Sequence, residues 1–322
     1  MNIPRIKIAN LPTPIETLPR LSAALGGVHL SIKRDDLTGI GMGGNKVRKL
    51  ELLLAEALAN GAKTLITTGA IQSNHCRQTA AVAAKYGLKC ILVLSGDRSA
   101  RVNGNLLLDE LFGAEIVWTT KSLRDEMLKQ TFSKAWSEGR RPYLIPYGGS
   151  SPVGALGYAL AMEELAAQGS SPDVIVFATS SGGTQAGMVV GARMTGYKGR
   201  IIGISIDHPA SEFVPQIVTL ASAAADRAGM PTQFNPREIE VVDDYLGGGY
   251  GVFNDLENEA LHLFGSTEGL LLDPVYTGRA AAGMIDLIRK GGIKQDQSVL
   301  FWHTGGTPAL FAEQYADQIS QL

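Results

Sequence analysis

At 322 residues, 45% hydrophobic and 19% charged, the chain can bury a sizeable core, which excludes a disordered protein. Lys plus Arg number 29 and Asp plus Glu 31, a net charge of -2 with no basic run, which argues against a nucleic-acid or acidic-membrane partner. Two cysteines, Cys76 and Cys90, are too few for a disulfide framework or a structural zinc site, and no apolar stretch reaches the roughly 18 residues of a membrane span. The expectation is a cytoplasmic protein with no metal. The opening MNIPRIKIANLPTPIETLPR, broken by prolines and charges, is not expected to be a signal peptide.

The first motif in chain order is GMGGNKVRKLE (41–51). Gly43 and Gly44 deliver Asn45 and Lys46 onto the first turn of an expected helix, whose apolar stripe is Val47, Leu50, Leu54 and Leu58. That stripe places Arg48 and Lys49 on the solvated side. Lys46 meets the positive end of the helix dipole, a field that lowers its pKa and favours a neutral, nucleophilic amine. A surface lysine is the commoner outcome for any single lysine.

From residue 60 onward, short apolar runs alternate with helical patterns. Strands are predicted at KTLITTGA (63–70), KCILVLSG (89–96), EIVWTT (115–120) and PYLIPYGG (142–149). They continue at DVIVFATSSGG (173–183), RIIGISID (200–207), EIEVVDDY (238–245) and SVLFWHTGG (298–306). Continuous apolar strands with helical crossovers predict an α/β fold with parallel sheets covered on both faces. The strands are too many for one comfortable sheet. Two domains flanking a cleft are expected, with 1–50 plus 153–322 as a large cofactor-binding domain and 51–152 as a small one.

Glycine clusters follow several strands, at 41–44, 147–151, 180–184, 247–251 and 304–307. Ligands bind outside the carboxyl ends of parallel strands, and glycine lets backbone approach them. ATSSGGTQAGM (178–188) runs from strand to helix and would aim backbone N–H groups, with the Ser181 and Thr184 hydroxyls, at an anion such as a phosphate. It lacks the Lys-Ser/Thr of a P-loop, and a plain βα turn is equally consistent. In GAIQSNHCRQ (69–78), Ser73 is an N-cap, and Asn74 and His75 fall in the first turn. Ser73 either only caps, or joins Asn74 and the free amides of that turn in a carboxylate or phenolate site, while a lone His75 is more often structural than catalytic. Tyr250, Tyr276, Thr277 and Thr304 sit at element boundaries, where singly they read as rim or capping residues.

Taken together, KRDDLTGIGMGGNKVRKLE, GAIQSNHCRQTAAVAAKYGL, SSGGTQAGM, GYGVFND, TEGLLLDPVYTGRAAAGMIDLIRKG and HTGGTPALF stand in the order found in a known family. The chain resembles the pyridoxal-phosphate enzymes related to D-cysteine desulfhydrase and 1-aminocyclopropane-1-carboxylate (ACC) deaminase, from about LPTPIETLPRLS to its end. The resemblance implies the tryptophan-synthase-β-like fold (fold type II), a homodimer and a small amino-acid substrate. It makes Lys46 the lysine that binds the cofactor's aldehyde, and Asn74 the partner of its phenolic oxygen. Ser181, Gly182, Gly183 and Thr184 would hold the phosphate, and Thr304 would face the pyridine nitrogen. Ser73, Tyr250 and Tyr276 would surround the substrate.

ACC deaminases carry a glutamate directly after the tyrosine of DPVY, where this chain has Thr277. Thr277, counted with the cofactor contacts, cannot hold the pyridine nitrogen protonated as a carboxylate can, which points toward β-elimination and D-cysteine desulfhydrase. The short link SGDRSARVNGN (95–105) could reshape the cleft mouth, so L-cysteate sulfo-lyase is the alternative, followed by ACC deaminase. An amino-acid-binding protein on the same scaffold is the non-enzymatic reading.

Overall fold

Ten strands form two sheets in the computed structural model, which describes residues 3–96 and 102–319. They are β1 (Ile15–Thr17), β2 (His29–Arg34), β3 (Thr64–Ala70), β4 (Lys89–Ser95) and β5 (Glu115–Thr119). Then come β6 (Pro142–Leu144), β7 (Val174–Thr179), β8 (Arg200–Ser205), β9 (Glu240–Val242) and β10 (Ser298–His303). The six-stranded sheet has the order β1-β2-β10-β7-β8-β9, with β1 antiparallel to β2 and every other pair parallel. The four-stranded sheet, β5-β4-β3-β6, is wholly parallel. The predicted α/β class holds.

The pattern from residue 60 onward missed β1 and β2, for a physical reason. Prolines 12, 14 and 19 crowd β1, and HLSIKR ends β2 on two cations. Lys33 is nevertheless fully buried, because its amine donates to Glu164 Oε1 at 2.6 Å and to the Thr13 carbonyl at 2.8 Å. Part of the link at 95–105, residues 97–101, lies outside the described residues.

The Lys46–Ala59 helix packs on two sides, and this corrects the expectation that Arg48 and Lys49 are solvated. Val47, Leu50, Leu53 and Leu54 enter the core of the smaller sheet with Leu65, Ala80 and Leu92. Leu52 faces the opposite way, into the core built around the Pro152–Ala167 helix. A Cβ added at Gly157 would lie 2.5 Å from the Arg48 carbonyl oxygen, so glycine there sets how closely the two helices approach. With both flanks covered, Arg48 is 3% exposed and Lys49 0%, while Leu58 at the far end is 37% exposed. Arg48 is neutralised by bidentate bonds to Asp35 (2.8 and 2.8 Å) and by Glu164 (2.9 Å). Tyr158 donates to the same Asp35 at 2.6 Å. This cluster fixes the turn that carries Lys46.

Candidate active site

Three helices begin around one cavity: Lys46–Ala59, Asn74–Lys85 and Gly183–Thr195. Each follows a glycine-rich or polar turn, so side chains and backbone amides converge there. The start of the first is pinned by Gly44 N–H donating to Thr38 Oγ1 (2.7 Å) and Asn45 N–H donating to the Thr304 carbonyl (2.9 Å). Lys46 Nζ donates to Asn45 Oδ1 at 3.0 Å, and Asn45 Nδ2 reaches Thr184 Oγ1 at 3.2 Å. Asn45 thereby links the lysine to the first turn of the third helix.

The cavity brings together Lys46, Ser73, Asn74 and Thr304. Ser181, Gly182 and Thr184 form its opposite wall, and Tyr276 closes one end. Ser73 also caps its helix, accepting from Cys76 N–H at 3.2 Å, so the cap and site readings hold together. Gly182, at the N-cap with φ 77°, provides no side-chain cap; the Gly183 N–H is taken by Ser150 Oγ, and the Thr184 and Gln185 amides of the first turn are left to face an anion. A Cβ on Gly183 would come within 2.5 Å of Ser150 Oγ and 2.9 Å of Lys49 Nζ, so this turn tolerates only glycine without rearrangement.

Three of the predicted residues stand elsewhere. Gly183 does not line the cavity; it lies directly behind the wall, its N–H donating to Ser150 Oγ at 3.1 Å. Tyr250 lines an adjoining cleft rather than the cavity, and its hydroxyl lies 2.7 Å from that of Tyr276. Thr277 does not line the cavity either. Its hydroxyl donates to Asp273 Oδ1 (2.7 Å) and accepts from Asp273 N–H (2.8 Å), because the Asp273 carboxylate turns back onto the turn that leads into the Thr277–Arg289 helix. That carboxylate also accepts the amides of Val275, Tyr276 and Thr277.

The cavity also contains Tyr147 and His75, which were not predicted as site residues. Tyr147 belongs to the glycine cluster at 147–151, the one sequence signal that could have found it. Thr67 gives its proton to the Ile145 carbonyl (2.8 Å), so His75 Nε2, 2.8 Å from Thr67 Oγ1, must be the donor between them. Burial, with the Lys46 and Lys49 charges, holds His75 well below the usual imidazole pKa, and it is neutral.

Burial brings Lys46 down to about 8; the Asp273 charge opposes this and the Arg77 charge adds to it. At pH 7 roughly a tenth of this amine is therefore unprotonated, far more than for an ordinary lysine. Lys49 is also pushed well down, by burial and then by the Lys46 charge, but its amine turns to the Gly148 carbonyl (3.2 Å) and Ser150 Oγ (3.3 Å). Burial raises both Tyr250 and Tyr276 well above the ordinary phenol value, so both remain protonated donors. A partly unprotonated amine, a helix start with free amides and the Tyr276 phenol, backed by Tyr250, thus meet at one cavity.

Residues 6–305 match the family model described as pyridoxal-phosphate dependent enzyme. The chain is 45% identical over 318 residues to D-cysteine desulfhydrases of Salmonella choleraesuis (strain SC-B67) and Salmonella newport (strain SL254), covering 96% of this chain and 96% of each relative. Among solved structures, an ACC deaminase homologue superimposes with a TM-score of 0.91 at 40% identity, over 98% of this chain and 95% of that one. A hydrogen sulfide-producing enzyme from Fusobacterium nucleatum shares the fold, with a TM-score of 0.65 at 16% identity over 94% of this chain and 97% of that one.

Proposed function

This chain belongs to the pyridoxal-phosphate dependent enzymes, and from that membership we propose that it converts D-cysteine and water to pyruvate, ammonia and hydrogen sulfide. The residues fit the cofactor: the uncapped turn at Gly182 suits its phosphate, and the buried Lys46 amine suits its aldehyde. Asn74 would meet its phenolic oxygen, Ser181 and Thr184 its phosphate, and Thr304 its ring nitrogen. Bound there, pyridoxal phosphate supplies the sink for electrons released at the substrate's α-carbon.

The chain's own groups divide the remaining work. Lys46 takes the α-proton, a role for which a pKa near 8 is well placed. Ser73 orients the substrate carboxylate at the start of the Asn74–Lys85 helix. Tyr276, hydrogen-bonded to Tyr250, gives a proton to the departing sulfur. This partly buried pair of protonated phenols is the observation that carries the reaction type, since a proton given to the β-sulfur as the C–S bond breaks lets it leave as hydrogen sulfide. With a hydroxyl from Thr304 rather than a carboxylate at the ring nitrogen, cyclopropane opening is disfavoured. The same reading makes the protein a cytoplasmic homodimer, with the small domain at 51–152 closing one side of the cleft.

A panel of D-cysteine, L-cysteine, L-cysteate and ACC tests the assignment on the cofactor-loaded protein. Sulfide and pyruvate from D-cysteine are expected. Sulfite from L-cysteate or 2-oxobutyrate from ACC, with no sulfide from D-cysteine, would replace it with one of the alternatives. A colourless protein after addition of pyridoxal phosphate would favour a binding protein.

The phenol's role has its own test. Tyr276→Phe is expected to slow D-cysteine turnover about 10²-fold while leaving β-chloro-D-alanine turnover within a few-fold, because chloride departs without a proton. Equal losses on both substrates would reduce Tyr276 to a packing role.

A further inference from the structure

We propose that Asn105 is a positioning residue that fixes which end of the Asn74 amide faces the cavity. The Gln72 carbonyl can only accept a hydrogen bond, and Asn105 Nδ2 donates to it at 3.0 Å. The second proton of the same Nδ2 goes to Asn74 Oδ1, also at 3.0 Å. Turning the Asn105 amide over would set its oxygen against the Gln72 carbonyl, so Asn105 is locked. Asn74 is locked in turn, with Oδ1 consumed and its NH₂ left for the cavity that it lines.

The lock is built from three consecutive residues, Asn103, Gly104 and Asn105, at the start of the Gly104–Leu111 helix. Gln72 clamps them: its Oε1 accepts Asn105 N–H at 2.7 Å, and its Nε2 donates to the Asn103 carbonyl (3.2 Å) and to Asn103 Oδ1 (3.1 Å). Gly104 has φ +54°, and a Cβ there would stand 2.4 Å from Gln72 Oε1. Asn105 itself is fully buried. The Asn-Gly-Asn turn is therefore built around the 72–74 loop, and its output is an oriented donor.

The consequence rests on the placement of Asn74 at the cofactor's phenolic oxygen. A donor there favours the ionised oxygen, which lowers the pH at which the linkage between cofactor and lysine loses its proton. Asn105→Asp substitutes an acceptor for the donor, so Asn74 turns its NH₂ toward that carboxylate and its oxygen toward the cofactor.

The test is a spectroscopic pH titration of the cofactor-loaded protein. Asn105→Asp is expected to raise the midpoint by about one pH unit, and Asn105→Ala to move it the same way by less. Asn74→Ala should raise it as well, and adding Asn105→Asp to Asn74→Ala should change nothing more, since the two act in series. If Asn74→Ala leaves the midpoint in place, the assignment of Asn74 to the cofactor fails. If Asn74→Ala shifts it while Asn105→Asp and Asn105→Ala, folded and loaded, do not, the positioning role fails. Should Asn105→Asp not fold, the alanine variant alone decides, by shift or no shift.

Discussion

Lys46→Ala is expected to lower sulfide release from D-cysteine by about 10³-fold or more, because it removes both the group that holds the cofactor's aldehyde and the base at the α-carbon. Lys49, one turn further along the helix, is the obvious substitute. It is more deeply buried than Lys46, and its pKa is also lowered. Its amine, however, lies beneath the turn at Gly182 and Gly183, held by the Gly148 carbonyl and Ser150 Oγ. Reaching the place of Lys46 would mean giving up both bonds. Steady sulfide release by Lys46→Ala, measured against the wild type at equal cofactor loading, would refute the role.

The second large effect concerns stability. Arg48→Met is expected to lower the unfolding free energy by about 3–5 kcal/mol, the usual result of stranding buried charges by removing one partner. Two carboxylates are stranded. Burial pushes Asp35 up, but the Arg48 charge, with hydrogen bonds from Arg48 and Tyr158, outweighs it and holds the carboxyl below its usual value. Glu164 follows the same balance, burial being overcome by bonds and charges from Arg48 and Lys33.

Both folded-state values are depressed, so their contribution to stability is fully present above the ordinary carboxylate pKa of about 4 and is lost as pH falls through the folded values. In Arg48→Met, the folded values of both groups rise, and the acid-side loss of stability begins at higher pH. Denaturant titrations between pH 7 and pH 4 measure both effects. An unchanged midpoint at pH 7 would mean that the cluster contributes nothing net.

The parts of the fold legible in the sequence were those whose local pattern agrees with their tertiary role. TLITTGA and VIVFAT are buried from end to end apart from Ala70, so a run of apolar and β-branched residues identified them. HLSIKR was not legible because the partner of Lys33, Glu164, lies 131 residues away. The same distance effect misplaced Arg48, whose second carboxylate is 116 residues along the chain. An apolar stripe reports one buried face and is silent about a face neutralised from elsewhere.

In the site, glycine clusters marked the walls, and the position of Lys46 followed from Gly43 and Gly44. Thr277 was misjudged because nothing local reveals that Asp273 bends back to take its hydroxyl and its amide. Asn105 was invisible for a related reason: its contact with Asn74 joins residues 31 apart and leaves no periodic trace.

Borohydride reduction of the loaded protein followed by peptide mass mapping shows directly which of the two lysines, Lys46 or Lys49, meets the cofactor. The reagent fixes a cofactor joined through its aldehyde to an amine. The predicted result is a pyridoxyl group on Lys46 alone. A pyridoxyl group on Lys49, or none on either lysine, would contradict it.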